Sequence, residues 1–130
     1  MGLFDFLQRK SPSGATSAPA SAPGEPIYVV PLAARKITAP GELSKETYMF
    51  YAFLFDASAE AAVARLHREV RDEGFEFLEL TGKVLVTSIP DWTEFVSDKF
   101  DWTKDALPTA QQLADDSRGV VHYSPKIIRL

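Results

Sequence analysis

Apolar side chains recur along the chain in more than one rhythm. Residues 48–55, Tyr-Met-Phe-Tyr-Ala-Phe-Leu-Phe, are apolar or aromatic at odd and even positions alike. A half-exposed strand would alternate with polar residues, so this run predicts a strand covered on both faces in the middle of a sheet. Ala59, Ala62, Val63, Leu66 and Val70 then follow at helical spacing. Asp56 or Ser58 is placed to cap that helix, and Gly74 to end it, because glycine takes positive φ without a steric penalty. Residues 75–80 and 84–89 return to a strand-like pattern around Thr81-Gly82-Lys83, a loop whose glycine predicts a hairpin. Residues 27–32 are also β-rich, but Pro31 lacks a backbone donor, which predicts an edge strand.

A second helical pattern spans residues 91–107, another helix or turn spans 109–117 up to Gly119, and residues 120–123 return as a strand. Pro125 interrupts, and residues 126–130 extend that strand or form a tail. With residues 27–32 set aside, the order is βαββαβ. That order predicts a single small α+β domain of ferredoxin-like type with an extra N-terminal edge strand.

The ends of the chain differ in kind. In residues 1–10, Leu3, Phe4 and Leu7 share one helical face, a short amphipathic segment too brief to be stable alone. Residues 11–26 hold four Pro, four Ser, four Ala and two Gly, a composition that buries too little apolar surface to offset its ordering entropy. Such a linker spans roughly 20 to 24 Å end to end. The organisation read from sequence is therefore an amphipathic segment (1–10), a linker (11–26) and a folded α+β domain (27–130). No secretory signal pattern or apolar run of spanning length is present, so a cytoplasmic location is expected. Gly2 invites a lipidation reading, but that motif wants Ser or Thr where this chain has Phe6.

Composition removes several chemistries. There is no cysteine, and only His67 and His122 supply imidazole, which excludes disulfide scaffolds, zinc-thiolate sites, cysteine nucleophiles and multi-histidine metal centres. The formal net charge is −4, and nucleic acid and anionic lipid are therefore disfavoured as partners. Gly82-Lys83 lacks the remainder of a phosphate-binding loop. Residues 84–89 lack the stacking aromatics of an RNA-binding sheet. Arg65, Arg68 and Arg71 form a ridge on the first helix, with Glu69, Asp72 and Glu73 at pairing distance, a pattern of self-neutralised surface. His67 reads as a packed or surface histidine, and His122 has no partner spacing that suggests a triad. Neither a cofactor site nor a metal site is expected.

The second helix carries the strongest functional signal. Asp91, Glu94, Asp98, Asp101 and Asp105 are spaced 3, 4, 3 and 4 residues apart, and at about 100° per residue they fall within an arc of roughly 80°. Trp92, Phe95, Val96, Phe100, Trp102, Ala106 and Leu107 fill the complementary arc, so one helix over 91–107 is predicted. Pro90-Asp91 followed by Glu94 resembles a capping box. Residues 91–116 contain seven acidic and two basic side chains, which places the negative character of the chain in this segment. Like charges at i,i+4 oppose the helix by about 0.2 to 0.5 kcal/mol each. The stripe therefore serves solubility or docking rather than helix stability. Trp92 falls near the middle of the apolar arc and reads as core, while Trp102 lies at the border and has the character of an interface anchor. Asp91, Glu94, Asp98, Asp101, Trp102 and Asp105 together form the expected partner-binding face.

In size and in its acidic surface, the 27–130 domain resembles the small bacterial immunity proteins that neutralise toxins of polymorphic and type VI secretion systems. Through the strand, helix and Gly-aromatic strand of residues 48–80 it is also similar to the bacterial protein regulators of ribonuclease E, although their strongly acidic tail is absent. The resemblance implies a non-enzymatic inhibitor whose acidic surface covers the basic cleft of a cognate toxin. Two alternatives stand beside it. One is a small-molecule sensor or enzyme with Tyr48, Tyr51 and Tyr123 lining a pocket on the sheet, and the other is a membrane-peripheral adaptor held by Leu3, Phe4 and Leu7.

Overall fold

The computed structural model describes residues 25–116 and 119–129. The amphipathic segment at 1–10 and the linker up to residue 24 lie outside the described residues. The domain is α+β and small, built on one antiparallel sheet.

Strand β1 (Ile27–Ala39) turns back at Pro40-Gly41 into the short β2 (Glu42–Leu43) and then β3 (Thr47–Phe55). Gly41 has φ of 77°, the left-handed region that only glycine enters freely. β1 and β3 pair from Ile27 opposite Phe55 to Ala34 opposite Tyr48. Helix α1 (Ala59–Asp72) follows, capped by the Ser58 side chain accepting from Ala61 N, and Gly74 at φ 89° lets the chain leave. β4 (Phe75–Leu80) and β5 (Leu85–Thr87) lie along the outer side of β1. After α2 (Ile89–Lys99), a 3-10 helix (Asp101–Ala106) and α3 (Ala110–Asp115), β6 (His122–Tyr123) and β7 (Ile127–Arg129) lie along the outer side of β3.

The two central strands are covered on both faces, as the unbroken apolar run of β3 requires. Val30, Leu32, Phe50, Ala52 and Leu54 face α1 and pack on Ala62, Leu66 and Val70. Ile27, Val29, Phe53 and Phe55 face the other way, against Trp92, Val96, Phe100, Leu107 and Leu113. Alternate positions of one strand thus feed two separate cores.

Three expectations are corrected here. Residues 27–32 do not form an edge strand; they begin the most heavily paired strand of the sheet, with β3 on one side and β4 and β5 on the other. Residues 75–80 and 84–89 do not form a hairpin. β4 and β5 both run antiparallel to β1, so the chain passes straight through Thr81-Gly82-Lys83 without reversing, and Gly82 does not take positive φ. The ferredoxin-like order rested on both of those premises and falls with them.

A single physical cause links the first two corrections. Thr81 N–H donates to the Pro31 carbonyl at 3.0 Å, and in an antiparallel strand a residue's nitrogen and carbonyl point to the same side. The nitrogen of Pro31, with no hydrogen to give, therefore faces the gap between β4 and β5. Gly82 packs across it, where an added Cβ would sit 3.5 Å from Pro31 Cγ. A proline is tolerated inside this sheet because its neighbour is interrupted at that row.

The opposite side repeats the device. Tyr51, paired with Pro31, donates its N–H to Ser124 Oγ at 2.9 Å and accepts from Ser124 N at 2.9 Å, at the break between β6 and β7.

Candidate protein-binding surface

The acidic stripe is carried by the layer that covers the second core. α2 starts at Ile89 with Pro90 in its first turn, two residues before the expected start. Asp91 consequently lies inside the first turn rather than at the cap, and the expected box with Glu94 is not formed. Ser88 Oγ donates to Asp91 Oδ2 instead, at 3.2 Å. A capping box does form at α3, where Thr109 Oγ1 accepts from Gln112 N at 3.1 Å and Thr109 N donates to Gln112 Oε1 at 2.7 Å.

The single helix expected over 91–107 is broken. α2 ends at Lys99; Phe100 caps it with φ of −130° and ψ of 30°, outside the helical region, and Thr103 departs again at φ −141° and ψ 17°. Phe100 is buried, with its ring 4.8 Å from Tyr51 and 5.4 Å from Phe53, edge to face in both cases. Phe100 thus packs on the sheet's aromatic residues at the point where the backbone leaves the helix.

This kink divides the predicted site. Asp91, Glu94 and Asp98 stay together on α2 and line an open groove of about 680 Å³ whose other wall is Val86 and Thr87 of β5. Val86 is 58% exposed on the sheet's outer ribbon, so the groove joins an apolar patch to three solvated carboxylates. Asp98 is 3.7 Å from Lys99 Nζ. Past the kink, Asp101 pairs with Lys104 at 3.2 Å. Trp102, 58% exposed, faces a separate hollow formed with Met49, Tyr51, Pro125 and Ile127. Asp105 turns to another flank, beside Leu107 and Pro108. Three of the six predicted residues are thus brought together, and the remaining three are spread around the 3-10 helix.

The other candidates fall into structural roles. Arg65 is held by the Phe55 carbonyl at 3.0 Å, Asp56 at 3.3 Å, the Gly119 carbonyl at 2.9 Å and Glu69 at 3.6 Å. Arg71 pairs with Glu76 of β4. His67 stacks on Phe77 at 4.2 Å. His122 Nε2 lies 3.0 Å from Asp116 Oδ2 but off the line of a hydrogen bond. Tyr48, Tyr51 and Tyr123 do not line one pocket: Tyr48 and Tyr123 pack on the α1 side and Tyr51 on the opposite side. Positions 48 and 51 differ in parity, so one strand must send them to different faces.

Sequence reasoning missed one cluster. Lys126 Nζ sits over the rings of Phe50 (4.9 Å), Phe75 (5.4 Å) and Tyr123 (5.5 Å), a cation held by three aromatic faces. Burial pushes the Tyr123 phenol well above its ordinary range, and the carboxylates of Glu73 and Glu69 add to the effect. Only the tertiary fold brings these residues together, since they come from three separate stretches of sequence, around 50, 69–75 and 123–126. Among the described residues no three His, Cys, Asp or Glu side chains are grouped to hold a metal ion, and no helix is long and apolar enough to cross a membrane.

The described residues thus form a small antiparallel α+β domain with an open acidic groove beside β5. Compared with known protein families, with curated proteins and with solved structures, the chain matches none.

Proposed function

We propose that the domain is a non-enzymatic protein-binding module of the cytoplasm, an immunity-type inhibitor that covers the basic active-site cleft of a cognate toxin enzyme. The observation that carries this reading is the grouping of Asp91, Glu94 and Asp98 on one regular helix, around an open groove whose other wall is the exposed Val86. A rigid helix fixes the spacing of the carboxylates, and the apolar wall supplies the desolvated contact that charge alone does not. Acidic residues so displayed steer a basic partner to the groove and speed its association.

The test is reversal of two charges. Glu94→Lys with Asp98→Lys is expected to weaken binding to a partner purified with the protein by about 2 kcal/mol or more where the pairs are desolvated, and to flatten the salt dependence of association. Thermal stability is expected to change little, because both side chains are exposed. Unchanged affinity together with unchanged salt dependence would reduce the stripe to a solvated face.

A further inference from the structure

The outer side of β5 carries an unpaired backbone row. In a regular antiparallel pair the hydrogen-bonding side alternates along each strand, so residues two apart face the same neighbour. Pro31 presents its carbonyl to the β4–β5 side, where the Thr81 N–H donates to it. Val29 and Ile27 therefore face that side as well, and Leu85 and Thr87, which lie opposite them, turn their N–H and carbonyl groups inward to β1. Val86, opposite Tyr28 between those two rows, turns its own N–H and carbonyl outward. Among the described residues no strand lies beyond β5, so this donor and acceptor border open space.

That space is the acidic groove. It is about 680 Å³ in volume, with Val86 and Thr87 on one wall and Asp91, Glu94 and Asp98 of α2 on the other. A further strand would sit about 4.8 Å beyond β5, along the Val86 wall of this groove. The two faces of such a strand are set by its neighbours. Leu85 packs in the second core with the α2 residues, whereas Tyr28, the cross-strand neighbour of Val86, packs on the α1 side. A residue opposite Val86 would share its face, away from α2, and the residues before and after it would point towards α2. The carboxylates of Asp91, Glu94 and Asp98 favour cations at those two positions, and the exposed Val86 side chain favours an apolar residue between them.

We infer that the groove takes an extended segment of a partner protein, basic and apolar residues alternating along it, which adds to the sheet as a strand beside β5. The inference rests on the binding-module reading and specifies how the partner is held. Backbone bonds to Val86 fix the register of the segment, and the α2 carboxylates select its side chains. One outward-facing residue makes a ladder too short to hold a strand without those charges. A second copy of the chain, joined β5 to β5, would bring its own Asp91, Glu94 and Asp98 against the same groove, and like charges so placed oppose each other.

The probe is an end-blocked heptapeptide of alternating lysine and valine, added to the full chain. At saturation it is expected to slow hydrogen exchange of the Val86 amide by about tenfold or more, with the inward-bonded Leu85 and Thr87 amides changed far less. Val86→Pro removes the outward donor and leaves the inward ladder in place, so a cooperative melt is expected to persist while affinity for the peptide falls about tenfold. Val86→Thr keeps the N–H and is expected to bind like the parent. Should Val86→Pro not fold, the exchange measurement on the unsubstituted chain decides alone. A Val86 amide left unprotected at saturation, or an affinity that Val86→Pro does not change, would overturn strand addition. Peptide affinity unchanged by Glu94→Lys with Asp98→Lys would overturn the choice of basic side chains, and a dimer of the free chain that Val86→Pro dissociates would make a second copy the occupant. The two readings fail separately: a purified partner that responds to the charge reversal but not to Val86→Pro removes the added strand and keeps the binding module.

Discussion

Asp-Trp-Thr occurs at residues 91–93 and again at 101–103, and the fold uses the two copies in opposite ways. In the first, Trp92 is 1% exposed and Thr93 faces solvent. The Trp92 ring meets Phe53 edge to face at 5.4 Å, and its indole N–H donates to the Pro108 carbonyl at 2.8 Å. In the second, Thr103 is buried and Trp102 is 58% exposed. Ten residues of ideal helix turn about 1,000°, roughly 80° short of three full turns, and the break at Phe100 falls between the two copies. A side chain's burial is therefore set by its phase on an element and by how that element is bent, not by its immediate neighbours.

That contrast can be broken deliberately. Trp92→Ala is expected to have the largest effect, a loss of about 3–5 kcal/mol of folding stability, enough to unfold a marginal domain; denaturant titration measures it. Trp92→Phe keeps most of the packing but leaves the Pro108 carbonyl without its donor, and a loss of about 1–3 kcal/mol is expected by the same titration. Trp102→Ala is expected to move stability by no more than about 0.5 kcal/mol, while it accelerates dissociation of a bound partner in a surface-binding measurement. Equal losses from the two alanine variants would show that Trp102 is also core and that the two copies are equivalent.

Much of the frame was legible from residue pattern. The apolar run at 48–55 marked a strand with two covered faces, and the spacing from Ala59 to Val70, with Asp56 or Ser58 before it and Gly74 after it, marked α1 to within a few residues, the cap falling to Ser58. Trp92 was readable as core because it sits mid-arc. What was not legible depended on neighbours that sequence does not show. Pro31 argues for an edge strand unless the adjacent ribbon is interrupted, and only the tertiary pairing reveals the gap at Thr81-Gly82-Lys83. Glycine there was read as a reversal, whereas the true reversal is Pro40-Gly41, a dipeptide with the stronger turn chemistry. The period of residues 91–107 continues smoothly through Phe100, since hydrophobic spacing reports which side faces the core and is silent about a local kink. The expected grouping of the acidic positions on one face fails for the same reason: Asp101, Trp102 and Asp105 lie beyond the bend.

The interruptions in the outer ribbons bear on how the molecule behaves in a crowded solution. A sheet edge is a template for strands of other molecules, and long, flat, apolar edges lead to polymerisation. Here Leu78, Leu80, Val86, Ile127 and Ile128 are all large, apolar and exposed, a composition that invites such growth. The edges, however, come in short pieces: β4 has six residues, β5 three, β6 two and β7 three, with Gly82 in one break and Pro125 in the other. An incoming strand loses its ladder within a few residues on either side of the domain. The breaks that accommodate Pro31 and Tyr51 at the centre thus keep neighbouring copies from zipping together at the rim.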